Sequence, residues 1–187
     1  MKYFTLLMIL VLLTCSTNKK EPTPIIPGKE TGTFMHIDVE NYGKIVIKLH
    51  KTEAPKNVEN IITLTNKGFY NGLTFHRIIK GFMIQGGCPI GDGTGTPGYE
   101  LPDEISANLK HLKGTMAMAN RGSNTNGCQF YICLEPQPRL DGSYTIIGQV
   151  TEGMDAVERI GEVATSGSPM DRPLNKLTMT KVWIEER

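Results

Sequence analysis

An excess of charge of either sign is absent from this sequence: 20 lysines and arginines stand against 19 aspartates and glutamates, a formal net charge of +1. Nucleic-acid binding relies on a basic stripe that neutralises phosphates, so nothing here points to nucleic acid as a partner. Cysteine is scarce as well. The four present, Cys15, Cys88, Cys128 and Cys133, form no Cys-x-x-Cys pair and no regular spacing, which supports neither a disulfide framework nor a zinc site. If Cys128 and Cys133 share a strand, their odd separation sends them to opposite faces, which disfavours a bridge between them. Also missing is an apolar run of the roughly 20 residues that a membrane-spanning helix needs. The Gly-rich stretch Gly91-Asp92-Gly93-Thr94-Gly95-Thr96-Pro97-Gly98 contains no Gly-Lys-Ser/Thr and leads into prolines. A phosphate cradle needs a helix N-terminus directly behind it, so this stretch reads as a surface loop.

What is present falls into three parts. Residues 1–15 read as an export signal: a short basic start at Lys2, then an apolar run over 4–13 in the range of about 7–15 residues usual for such signals. Leu12-Leu13-Thr14-Cys15 resembles a bacterial lipoprotein box. That implies acylation of Cys15, a membrane anchor, and a place in the cell envelope, at the periplasm or the cell surface. An ordinary cleaved signal with an incidental cysteine is the alternative. Residues 16–31 carry Pro22, Pro24 and Pro27 and no apolar period, so they read as a flexible tether.

Residues 32–187 carry the domain. Alternation over 33–39 and 44–49 about Tyr42-Gly43 predicts a hairpin. Pro55 opens a helix whose face is Val58, Ile61, Ile62 and Thr65, and Gly68 ends it. Short strands are expected over 74–79, 83–86, 115–119, 129–134 and 145–150, a second helix over 154–160, and a closing strand over 177–185. Many short strands with two helices predict a mainly β fold, a closed antiparallel barrel capped by helices.

Three segments then specify a family: Phe75-His76-Arg77-Ile78-Ile79-Lys80-Gly81-Phe82-Met83-Ile84-Gln85-Gly86-Gly87; Met118-Ala119-Asn120 running on through Gln129-Phe130-Tyr131-Ile132; and Leu140-Asp141-Gly142 with Ile147-Gly148-Gln149-Val150. Order and spacing resemble the signature of the cyclophilin-type peptidyl-prolyl isomerases. The resemblance implies a closed eight-stranded antiparallel β-barrel with two α-helices and a peptide groove on its outer face. It also implies isomerisation of X–Pro bonds in unfolded or exported proteins. By resemblance Arg77 is the catalytic residue. Phe82, Met83, Tyr131 and Leu140 form the proline pocket, and Gln85, Ala119, Asn120 and Gln129 hold the peptide. Arg139 stands where many members carry tryptophan, Tyr144 where they carry histidine, and Tyr131 where they carry phenylalanine. These changes are expected to weaken cyclosporin-type inhibitors, alter substrate preference, and leave the Tyr131 hydroxyl in need of a partner.

The chemistry fits the residues. Amide resonance sets a barrier of about 18–20 kcal/mol to rotation about the bond. No bond need break, so neither nucleophile, metal nor cofactor is required. A permanently charged planar fork such as Arg77 can draw the prolyl nitrogen lone pair out of resonance. Taken alone, an arginine in a strand reads as solvated or paired, and Phe82 and Met83 as core; the surrounding signature reverses that. His76, on the strand face opposite Arg77, reads as structural, and His36, His50 and His111 as surface or strand residues. Cys128 and Cys133 read as buried small apolar groups. A cyclophilin-like module that grips proline segments without turnover is the rival reading, and adhesion by a surface lipoprotein a third. No feature calls for a dimer.

Overall fold

The computed structural model describes residues 30–187. The expected export signal with Cys15 and residues 16–29 of the tether lie outside the described residues.

The alternating pattern of β1 (Thr33–Val39) and β2 (Gly43–Leu49) makes an antiparallel hairpin in register from Phe34↔Lys48 to Val39↔Gly43. Asn41 and Gly43 take positive φ at the turn, which brings the strand round in a few residues. Helix α1 (Pro55–Asn66) follows, burying Val58, Ile61, Ile62 and Thr65 as its spacing requires. It has no side-chain cap of its own. The carboxylate of Glu104 instead accepts from the backbone N–H groups of Lys56 and Asn57 at 3.1 and 2.8 Å, which satisfies the free donors of the first turn. The chain continues through β3 (Phe75–Ile79), β4 (Met83–Gly86), β5 (Thr115–Met118), β6 (Phe130–Cys133), a short 3-10 turn Pro138–Leu140, β7 (Ile146–Glu152), helix α2 (Met154–Gly161) and β8 (Met179–Glu186). Gly153 precedes α2 at φ 82, where any Cβ would collide with the Lys44 carbonyl.

All eight strands form one antiparallel sheet in the order β3-β4-β6-β5-β7-β2-β1-β8. Its inner face carries Ile37, Ile47, Ile84, Met116 and Phe130, and Val58 and Ile61 of α1 and Val157 and Ile160 of α2 pack into the same cluster. A second, smaller cluster lies on the other face around Met83, Ala117, Tyr131 and Cys133. Cys128 belongs to the first and Cys133 to the second; Cys128 lies ahead of β6, so the two do not share a strand.

The closed barrel expected from the sequence is corrected to an open, curled sheet. The end strands β3 and β8 form no ladder with each other. Their flanks meet at one isolated bridge, Thr74↔Thr178, with hydrogen bonds from Phe75 N to Leu177 O and from Met179 N to Leu73 O. Further along, the N–H of Ile78 is taken by Asp171 O at 2.9 Å. The loop ahead of β8 thus occupies the edge of β3 that a closing ladder would use. At the other end of β8, Gly32 and Arg187 exchange reciprocal backbone hydrogen bonds at 2.6 and 3.0 Å. No helix among the described residues is long and apolar enough to cross a membrane.

Candidate active site

Strand register sets out one row of side chains across the outer face. Arg77 pairs with Gln85, Gln85 with Tyr131, and Tyr131 with Ala117. Simple alternation would put Phe75 and Arg77 on the same face, yet Phe75 is in the core and Arg77 is not. The difference is a β-bulge. Phe75 opposes Gly86 and Arg77 opposes Gln85, so His76 is the extra residue. Bulges re-aim side chains in this way. His76 is itself buried.

Beside this row lies a cleft of about 280 Å³. Phe82, Met83, Ala119, Tyr131, Leu140 and Tyr144 line it with apolar surface, and Arg77, Gln85, Asn120 and Gln129 with polar groups. Of the residues expected in the site, Arg139 alone does not line it. Its guanidinium lies 4.7 Å from the Phe82 ring centroid, a cation–π stack on the pocket wall. Arg77 keeps Nη2 3.5 Å from the Asp171 carboxylate. Asn120 accepts from Gly122 N at 3.3 Å, while its buried Nδ2 has no partner. The amide of Gln129 is committed within the protein. Its Oε1 accepts from Gln85 Nε2 at 3.1 Å, and its Nε2 donates to the carbonyls of Gly93 and Gly95, both at 2.9 Å.

Those carbonyls belong to the Gly-rich loop, which forms the far wall of the cleft through Gly93, Gly95, Thr96, Pro97 and Tyr99. A surface loop by sequence, it is held from both sides. The N–H groups of Gly93 and Gly95 donate to Cys88 Sγ, each at 3.3 Å. Burial pushes the Cys88 thiol up, but the N–H groups of Gly95, Gly93, Asp92 and Ile90 outweigh it, and the thiol sits below its ordinary range.

Behind the pocket the sequence reading of His111 is corrected. It is 1 % exposed and neither a surface nor a strand residue: it precedes β5 and is drawn inward by two partners. Tyr131 Oη lies 2.9 Å from His111 Nε2, and His111 Nδ1 lies 2.9 Å from Asp141 Oδ1, which also accepts from the His111 N–H at 2.9 Å. His111 is therefore the partner that the Tyr131 hydroxyl needed. Burial above all, then Cys133, Tyr144 and Asp141, raises the Tyr131 phenol far above its usual value. The His111 backbone and side-chain donors hold Asp141 below the usual carboxylate range. Asp141 falls within the signature segment Leu140-Asp141-Gly142, but the positions of His111, Asp171 and Cys88 around the cleft had no signal in the sequence, because no spacing rule links them to the residues they hold.

Comparison with known proteins points one way. The profile of the family described as cyclophilin type peptidyl-prolyl cis-trans isomerase/CLD matches residues 34–184. A peptidyl-prolyl cis-trans isomerase of Synechococcus elongatus is 54 % identical over 110 residues, covering 59 % of this chain and 75 % of that one. A peptidyl-prolyl cis-trans isomerase-like 1 of Aspergillus oryzae is 43 % identical over 148 residues, 77 % of this chain and 91 % of that one. Among solved structures, a cyclophilin type peptidyl-prolyl cis-trans isomerase of Cryptosporidium parvum, crystallised in the presence of the dipeptide Ala-Pro, superimposes with a TM-score of 0.77 at 31 % identity. The match covers 82 % of this chain and 99 % of that one.

Proposed function

This chain belongs to the cyclophilin-type peptidyl-prolyl cis-trans isomerase family, and from that premise we propose that its cleft holds an X–Pro segment and that Arg77 is the catalytic residue. The activity is peptidyl-prolyl cis-trans isomerisation. The observation that carries the site assignment is one guanidinium, turned outward by the bulge at His76, beside the apolar residues of a cleft of about 280 Å³. The Ala-Pro dipeptide named for the Cryptosporidium protein supports a proline-containing ligand.

In this reading Phe82, Met83, Tyr131 and Leu140 grip the proline ring. Asn120 and the Ala119 backbone hold the flanking chain, and Gln129 acts by bracing Gln85 and the loop wall. Arg77 donates toward the prolyl nitrogen as the amide leaves planarity, with Asp171 orienting the fork. One charge-assisted hydrogen bond is worth about 1.5–3 kcal/mol, roughly ten- to a hundredfold in rate. A millionfold acceleration takes about 8 kcal/mol, so desolvation and pre-positioning of the peptide supply the remainder. Arg77→Ala is expected to lower kcat/KM for a short proline peptide by about a hundredfold, read in a cis-trans isomerisation assay. Equal rates would remove Arg77 from its role and favour a gripping module.

For the leading segment, the apolar run over 4–13 and Leu12-Leu13-Thr14-Cys15 support export, lipidation of Cys15 and anchoring at the cell envelope, where proteins folding after export are the natural clients. Several acyl chains at about 0.8 kcal/mol per buried CH₂ would anchor the domain firmly. Radiolabelled palmitate should mark the wild type and not Cys15→Ser; equal labelling ends this part of the proposal.

A further inference from the structure

The chain Tyr131–His111–Asp141 runs from the proline pocket to a carboxylate through a ring that is 0 % exposed in its side chain. Its hydrogens can be assigned from chemistry. Asp141 is held as a carboxylate and only accepts, so His111 Nδ1 carries the proton. Nε2 is then the acceptor, and the Tyr131 O–H donates to it. The tyrosine ring faces the pocket while its hydroxyl is drawn away from it, which leaves an apolar wall where an unpaired hydroxyl would otherwise sit. The two rings are nearly parallel, 6.1 Å apart at 11°, and Tyr144 stands edge-on to both at 6.4 and 5.8 Å. The hydroxyl therefore has little freedom to turn.

We propose that His111, braced by Asp141, is a positioning residue of the isomerase. By accepting the Tyr131 hydroxyl proton it keeps the proline pocket apolar. Without that acceptor the Tyr131 hydrogen must swing toward the pocket, and peptide binding weakens.

The inference rests on the reading of the cleft as the peptide site, and the two fail differently. If Arg77→Ala turns over like the wild type, the site reading fails whatever His111 does. His111 is tested by two substitutions that split its ring. Asn mimics Nδ1 and keeps the bond to Asp141, whereas Gln mimics Nε2 and keeps an acceptor for Tyr131. KM and kcat for a proline peptide are measured for both beside the wild type. His111→Asn is expected to raise KM about three- to tenfold with a much smaller change in kcat. His111→Gln should recover most of that affinity. In a Tyr131→Phe background the effect of His111→Asn on KM should disappear. The proposal is overturned by His111→Asn with wild-type KM, or by an effect of His111→Asn that persists undiminished in the Tyr131→Phe background. Should His111→Asn fail to fold, His111→Gln decides: a KM close to wild type is expected, and a rise of about tenfold overturns the proposal.

Discussion

A single sulfur atom holds one wall of the cleft. Cys88 Sγ accepts from the N–H groups of Gly93 and Gly95 while Gln129 donates to the carbonyls of the same two glycines. Cys88→Ala leaves two inward-facing donors without an acceptor, and is expected to cost about 1–3 kcal/mol and to speed amide exchange at Gly93 and Gly95. Cys88→Ser keeps an acceptor with a shorter reach, so it should lose less. Urea midpoints and exchange rates check both; unchanged exchange at those glycines in Cys88→Ala would show that the sulfur does not pin the loop. The strand-side residues lining the cleft were legible in the sequence because they fall in compact segments whose order and spacing carry a family pattern, whereas the loop wall of Gly93, Gly95, Thr96 and Pro97 read only as a surface loop. The residues that hold them were not. His111 lies 20 positions from Tyr131 and 30 from Asp141, and nothing local distinguishes a surface histidine from one folded inward. Arg139 was legible as a departure from the family; its stack on Phe82 depends on where the 3-10 turn puts it.

Among the elements, the first hairpin, α1 and α2 were readable from period and punctuation, and the remaining strands fell within a residue or two of expectation at most ends. Strand boundaries depend on pairing partners, and those are distant in sequence. β7 runs on to Glu152 because Val46 of β2 pairs with it there, and β8 opens at Met179 opposite Val39. The bulge at His76 was invisible for the same reason: it exists only as a mismatch between β3 and β4. Its effect is large, since it decides that Phe75 faces the core and Arg77 the cleft. Closure of the sheet was also misread. A count of strands says nothing about whether the first and last meet, and here the loop carrying Asp171 occupies the edge that closure would use. The same loop supplies the carboxylate beside Arg77.

For the whole molecule, acid should act in two stages. Burial holds His36, His50 and His76 below the ordinary imidazole value. As pH falls from about 6.5, the unfolded chain takes up protons that the folded one resists, so stability declines. Asp92, Asp141 and Asp155 are shifted down, chiefly by the Thr94 hydroxyl, the His111 N–H and the Arg159 side chain respectively. Their contribution is full above the unfolded carboxylate value of about 3.9 and is lost as pH drops through their lowered folded values. Urea midpoints measured from neutral to strongly acid pH should fall first in the histidine range and again in the carboxylate range; a midpoint flat through the first would contradict the burial of the histidines. The reciprocal bonds between Gly32 and Arg187 also have a mechanical meaning. They begin a strand that is flanked on both sides, by β2 and by β8, with ladder bonds perpendicular to its axis. Tension drawn through residue 32 along β1 therefore loads both rows in shear and all at once, so a domain tugged by its leading segment resists being unzipped one bond at a time.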